Sequence, residues 1–345
     1  MRFLARTSLA LLMVAAVLVG YSFYVSRPAV DVPSNVDSPH VIANPDAALT
    51  FARTNSLLIR VTRHTGDAVE GIDISAALGE DSDLIEAYAR LGYEGLATVP
   101  GAEVTVPVTA LTMPVDFHYP HVAAGTNYSE HAEEVYLDDP PFQFPKLARA
   151  SAWNAPVKFH PRLDFEAELA MVPLDDIDSP DDPVDFALVL ANDFTDRWTL
   201  VRQLDLGAPM GTTGFAASKG RASFLPTGYL FVIPRSAAFY KSITLELSVN
   251  GEARQRFSAD EMILKINDIV RQAFAQSDRT FFDGDEPVRL LPQGRIPRGT
   301  LILTGTAAGV LFKPVNLWNQ GFYLARDDRV ITRATFLGHL DNQIN

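Results

Sequence analysis

The chain has 345 residues, 47% hydrophobic and 21% charged, the make-up of a globular protein with ample material for a core. With 42 acidic against 29 basic residues its formal charge is −13, which argues against a nucleic-acid binder, since such a face needs a basic surplus. No cysteine is present, which excludes disulfides, thiolate zinc sites and cysteine nucleophiles and fits an oxidising compartment.

At the N-terminus, Arg2 and Arg6 precede an uncharged stretch, 7–26, that ends at Arg27-Pro28. As a helix such a stretch reaches roughly 30 Å, the thickness of a bilayer's hydrocarbon core. Tyr21, Phe23 and Tyr24 read as an interfacial aromatic belt, so residues 1–26 are expected to form one transmembrane anchor. The small pair Gly20 and Ser22 leaves a cleaved signal segment as the alternative. The two leading arginines put the start in the cytoplasm. The folded body is then expected in the periplasm, held to the inner membrane, or exported if the segment is cut.

Residues 27–46, rich in Pro, Ser, Asp and Asn, read as a linker. Residues 47–114 read as a small N-terminal subdomain. A strand is expected over Leu57–Val61 and a helix over Asp81–Leu91, with Leu84, Ile85, Tyr88 and Leu91 on one face. No chemistry is read there. Residues 115–345 are strand-heavy, with short apolar runs at 122–124, 165–172, 186–190, 230–233, 243–249 and 301–304 separated by turns such as Asn250-Gly251. One helix is expected after the capping-box spacing Ser258 to Glu261, with Met262, Ile266, Ile269, Val270 and Phe274 along its face. The pattern predicts an α+β, β-rich body, a mixed sandwich or roll with few helices.

The chemistry begins at Glu166 and Glu168. They lie two residues apart in an apolar run that reads as strand, so both project from one face. Like charges on a partly buried face repel each other and resist desolvation, and a divalent cation relieves both costs. Asp193, at the end of the run 186–191, is the candidate third ligand. Oxygen-only ligation suits Mg²⁺ or Mn²⁺, with Ca²⁺ also admissible. Upstream, His131 and Glu134 fall at i, i+3 on a short helix, where a carboxylate can orient an imidazole as a general base. A surface ion pair is the plainer reading of that spacing in isolation. The formal glycosylation sequon Asn127-Tyr128-Ser129 is discounted, because the segment reads as a loop of the site.

These pieces belong to an ordered set. Gly125-x-Asn127-Tyr128-x-x-His131-x-x-Glu134 is followed by Pro141-x-x-Phe144-x-Lys146 and by Asp164-Phe165-Glu166-x-Glu168-Leu169. Asn192-Asp193-Phe194-Thr195-Asp196-Arg197, Ser218-Lys219, Phe224-x-Pro226-x-Gly228, Asn250-Gly251-Glu252-x-Arg254-Gln255 and Leu303-Thr304-Gly305-Thr306 continue it. Together they resemble the fumarylacetoacetate hydrolase family over about residues 115–310.

The resemblance implies a metal site at Glu166, Glu168 and Asp193, and a water-activating dyad of His131 and Glu134. It implies that Lys219 neutralises developing enolate charge, and that Arg197, Thr306 and Tyr128 bind substrate. It also implies a mobile lid over 136–146 and a homodimer by analogy with relatives. The implied substrate is a small 2-oxo or β-dicarbonyl acid such as an acylpyruvate, cleaved at a C–C bond. A decarboxylase or tautomerase of oxaloacetate-like acids, or a non-catalytic tethered metal- and ligand-binding protein, are the alternatives on the same site. The chain departs from the family pattern in three places: Arg197-Trp198-Thr199-Leu200 replaces Arg-Asp-x-Gln, Arg221-Ala222 stands where an acidic residue is usual, and Ala307 replaces proline. Trp198 and Leu200 remove polar groups near the expected substrate, which leaves its identity open.

Overall fold

The structure is a computed structural model that describes residues 2–27, 40–79, 83–135, 140–183 and 185–345. Its centre is a ten-stranded sheet. From one edge to the other its strands are Ala102–Pro107, Ala68–Asp73, Leu58–His64, Ala48–Arg53, Leu230–Pro234, Phe186–Asn192, Ala167–Pro173, Thr300–Leu303, His118–Gly125 and Phe142–Lys146. Pairing is antiparallel except between Thr300–Leu303 and His118–Gly125. The apolar runs seen in the sequence thus become strands, and 167–173 is buried at every residue. Burial on both faces is why that run lacks polar alternation.

The first four strands come from the expected small subdomain, yet Ala48–Arg53 pairs directly with Leu230–Pro234, so one sheet runs through both parts of the chain. A second, four-stranded sheet, ordered Glu252–Ser258, Thr244–Val249, Arg329–Ala334, Gly338–Gln343, lies against the first. Two side-chain bonds join the sheets: Ala167 N–H donates to Gln255 Oε1 at 3.0 Å, and Asn192 Nδ2 to Thr332 Oγ1 at 3.0 Å. The hairpin turn in the second sheet has positive φ at both Asn250 (52°) and Gly251 (86°), the conformation that twist-matched two-residue turns require.

The fold places the site through its strand directions. Strands 300–303 and 118–125 are parallel and end on the same side; 167–173, antiparallel to 300–303, starts there, and 186–192 ends there. The residues just outside those ends, 125–134, 165–166, 193 and 304–309, are brought together at one rim. The sheet also curls. Lys146, on the edge strand, donates to Asp193 at 2.5 Å, although four strand spacings laid flat would separate their backbones by roughly 19 Å.

Three expectations are revised. The run read as an anchor contains a helix, Arg2–Val25, but its last turn packs on the body. Phe23 meets Phe322 and Trp318 edge-on at centroid distances of 4.9 and 6.4 Å, and Asn316 Nδ2 donates to Ser26 Oγ at 2.8 Å. Among the described residues no helix is long and apolar enough to cross a membrane. That overturns the transmembrane anchor and the placement of the body in the periplasm at the inner membrane, and it leaves the membrane as a partner without support.

The expected lid is the second revision. Phe142–Lys146 is a sheet strand buried at every residue, while residues 136–139 lie outside those described. Third, the capping-box residues form only a short 3₁₀ turn, Ala259–Glu261, and the α-helix starts later, at Ile266–Ala275. The other expected helix starts at Leu84 and is broken at Gly92 (φ 64°), beyond which a second helical piece runs to Thr98; Asp83 caps its start, its side chain accepting from the N–H groups of Ile85 and Glu86. The expected start at Asp81 lies outside the described residues, as does most of the linker, 28–39.

Candidate metal centre

Glu166, Glu168 and Asp193 are all buried and each offers a carboxylate oxygen within 4.8 Å of the others. Glu166 sits in the break between strands Leu163–Asp164 and Ala167–Pro173, and its carbonyl accepts from Asp193 N–H at 2.9 Å, which fixes the two ligand-bearing segments side by side. Cations surround the carboxylates unequally. Lys219 Nζ donates to Glu166 at 2.6 Å and to Asp193 at 2.9 Å. Lys146 Nζ donates to Asp193, and Arg197 Nη2 donates to Glu166 at 2.6 Å. Among the described residues Glu168 has no Lys or Arg partner; it accepts from Gly305 N–H at 2.6 Å.

The electrostatics follow that asymmetry. Burial works against ionisation of Glu166, but Lys219 and Arg197 outweigh it and hold this carboxyl below the usual range. Burial pushes Glu168 well up, and the adjacent Asp193 and Glu166 push it further. Lys219 is lifted by Asp193 and Glu166 in spite of its burial, whereas burial prevails at Lys146 and lowers it. A hard divalent cation fits this donor set: three convergent buried oxygens, one of them on a carboxylate with no cation of its own.

His131 and Glu134 are both largely buried on the short helix Ser129–Glu134, with Nδ1 and Oε2 3.3 Å apart. The other oxygen of Glu134 accepts from Gly309 N–H at 3.0 Å and is bound by the Lys313 ammonium. Burial opposes ionisation of Glu134, but the bond to His131 and the charge of Lys313 prevail and lower it. The loop after strand Thr300–Leu303 therefore serves both halves of the site, Gly305 holding Glu168 and Gly309 holding Glu134. Both glycines have positive φ (88° and 107°), and a Cβ on Gly309 would lie 2.0 Å from the Arg254 carbonyl oxygen.

A cavity of about 420 Å³ opens beside this cluster, and Thr126, His131, Glu166, Arg197, Lys219 and Thr306 line its polar end. Thr306 Oγ1 accepts from Gln255 Nε2 at 2.8 Å, which leaves its own hydrogen free to point elsewhere. Arg197 is only partly available. Its Nε donates to Asp164 at 2.8 Å while Nη2 holds Glu166.

Tyr128, expected to touch substrate, does not line the cavity; it is buried edge-on against Phe257 at 4.9 Å. Asn127 is fully buried, with Nδ2 donating to the carbonyls of Thr304 and Leu264, so the sequon serves packing. Sequence reasoning missed the parts played by Lys146, Asp164, Gln255 and Lys313. The first three stand inside the quoted motifs and could have been weighed there. Lys313 stands in none.

Comparison with known proteins agrees with this architecture. Residues 120–345 match the family model described as the fumarylacetoacetate (FAA) hydrolase C-terminal domain, and the chain belongs to that family. An uncharacterized protein of Staphylococcus aureus (strain USA300) is 26% identical over 254 residues, 72% of each chain. Among solved structures, a probable 2-hydroxyhepta-2,4-diene-1,7-dioate isomerase from Mycobacterium abscessus aligns with a TM-score of 0.59 at 20% identity, over 86% of this chain and 98% of that one. A fumarylacetoacetate hydrolase from the psychrophile Exiguobacterium antarcticum aligns with a TM-score of 0.59 at 19% identity, over 87% and 99%. At these identities the two structures establish a shared fold.

Proposed function

We propose that the chain is a divalent-metal-dependent hydrolase that cleaves a C–C bond in a small acylpyruvate or related β-dicarbonyl 2-oxo acid, with residues 115–345 as its catalytic domain. The observation that carries this reading is the convergence of Glu166, Glu168 and Asp193 beside a cavity that His131 also lines. When bound, Mg²⁺ or Mn²⁺ would polarise the 2-oxo carbonyl and stabilise the enolate charge that cleavage creates.

The remaining work falls to side chains. His131, held by Glu134, takes a proton from the water that attacks the acyl carbonyl. The C–C bond breaks, its electron pair passes to the carbon beside the oxo group, and proton return completes pyruvate, with a carboxylic acid as the second product. Lys219, lining the cavity, offers its positive charge to the enolate oxygen. Thr306 is placed to donate its free hydroxyl hydrogen to the substrate's carboxylate. Arg197 acts first on the enzyme's own Glu166, and through it on the metal site.

The test is loss of acylpyruvate absorbance as Mg²⁺ or Mn²⁺ is added, with both fragments quantified. Pyruvate and the acid should appear in equal amounts. Glu166→Ala working as well as the parent at limiting metal would contradict the reading, and CO₂ without an acid fragment would redirect it to decarboxylation.

A further inference from the structure

The cavity has two chemically distinct ends, and the helix Arg197–Gln203 connects them. Asp196 caps that helix, accepting from Trp198 and Thr199 N–H at 3.1 Å each, which fixes the direction of its first turn. Arg197 starts the cavity-facing stripe at the carboxylate cluster, and Leu200, Val201 and Leu204 continue it at helical spacing. Leu206, Met210 and Phe215 extend the apolar wall. Two of these groups are exposed at the mouth, Leu206 at 81% and Val201 at 38%, an arrangement that leaves apolar surface in water unless something apolar covers it.

The charged groups that line the cavity all sit at the other end. Arg197 and Lys219 are the only Lys or Arg side chains among its lining residues, and both are already bound to carboxylates of the cluster. A second carboxylate at the far end of a substrate would therefore enter an apolar wall without a counterion, at a large desolvation cost. An alkyl or aryl tail would instead cover the wall.

We propose that the chain selects 2-oxo acids whose acyl tail is apolar and uncharged, and disfavours substrates that carry a second carboxylate. The selection rests on the hydrolase reading of the same cavity, but binding can test it separately. In the Mn²⁺-loaded full chain, kcat/KM should rise from acetylpyruvate to hexanoylpyruvate by about twofold or more per methylene, with an upper limit of about fourfold for complete burial. A tail of equal length ending in carboxylate should be at least about tenfold poorer. Leu206→Arg, at an exposed mouth position, should narrow or invert that gap while leaving Mn²⁺ affinity unchanged.

Equilibrium binding of 2-oxooctanoate and of its ω-carboxylated counterpart, both with Mn²⁺, decides the matter even if no acylpyruvate is cleaved. Tighter binding of the monoacid by about tenfold supports the selection. Equal binding, preference for the diacid, or binding of neither overturns it. Failure to cleave any acylpyruvate while the monoacid binds tightly would overturn only the hydrolase reading.

Discussion

The ammonium of Lys313 binds the carboxylate of Glu134, which also holds the imidazole of His131. Chain positions 179 apart thus meet around the proposed general base. Lys313 further donates to the Val310 carbonyl at 2.9 Å, so it is anchored independently of Glu134. Its replacement should act on the orientation of His131 and leave the metal ligands in place. Lys313→Met should lower kcat by about tenfold, less than the roughly 10²- to 10⁴-fold expected for His131→Ala. Mn²⁺ affinity measured by calorimetry should not change, and Lys313→Arg should recover part of the rate. A fall in metal affinity matching the fall in kcat would place Lys313 in the metal site instead.

Glu168 is the triad carboxylate without a Lys or Arg partner among the described residues, and its neighbours are acidic. Without metal, Glu168→Gln should be as stable as the parent or more so, because one like charge is removed from a buried cluster. Added Mn²⁺ should stabilise the parent by about 2.7 kcal/mol at a hundredfold excess over Kd, and the variant by far less. Thermal unfolding with and without Mn²⁺ checks both halves.

The loop glycines set a steric limit. At Gly309 a side chain would need a positive φ and would drive a Cβ to 2.0 Å from the Arg254 carbonyl. Its N–H is also one of the bonds that hold Glu134. Gly309→Ala should cost about 1–3 kcal/mol of stability and reduce kcat through the displaced dyad. Denaturant unfolding beside steady-state rates would show the two losses together.

Outside the triad, Tyr229 joins His64 and His339, its hydroxyl 2.9 Å from His64 Nε2 and 3.1 Å from His339 Nδ1. Burial lowers both histidines to about 4, with His40 adding to the effect, and Arg333, Arg329 and Asp341 face the group. Each folded-state value lies below the ordinary 6.5, so between pH 6.5 and about 4 the unfolded chain binds more protons. Stability should therefore fall as pH drops through that window and stay level with respect to these groups above it. Denaturation midpoints at pH 7.5, 6 and 5 should decline, and His64→Gln should flatten part of the slope.

The sequence exposed those parts of the molecule that depend on local spacing. Strands 167–173 and 186–192 were visible because burial on both faces leaves uninterrupted apolar runs. The pairing of Glu166 with Glu168 was visible because charges at i, i+2 stand out within such a run. What spacing could not reveal was contact made by curvature and long loops: Lys146 reaching Asp193 across a curled sheet, or Lys313 reaching Glu134. The N-terminal apolar run misled because composition alone cannot show Phe23 packing on Phe322 and Trp318. Tyr128 misled for a related reason, since its place in the motif does not tell whether its ring faces the cavity or Phe257.

The most direct measurement is pyruvate release from hexanoylpyruvate by metal-stripped protein titrated with Mn²⁺, run in parallel on Glu168→Gln. Release should be absent without metal, rise to saturation as Mn²⁺ is added, and shift to much higher Mn²⁺ in the variant. Equal release by the stripped protein, or an unchanged titration in Glu168→Gln, would contradict a metal-dependent reaction built on the three carboxylates.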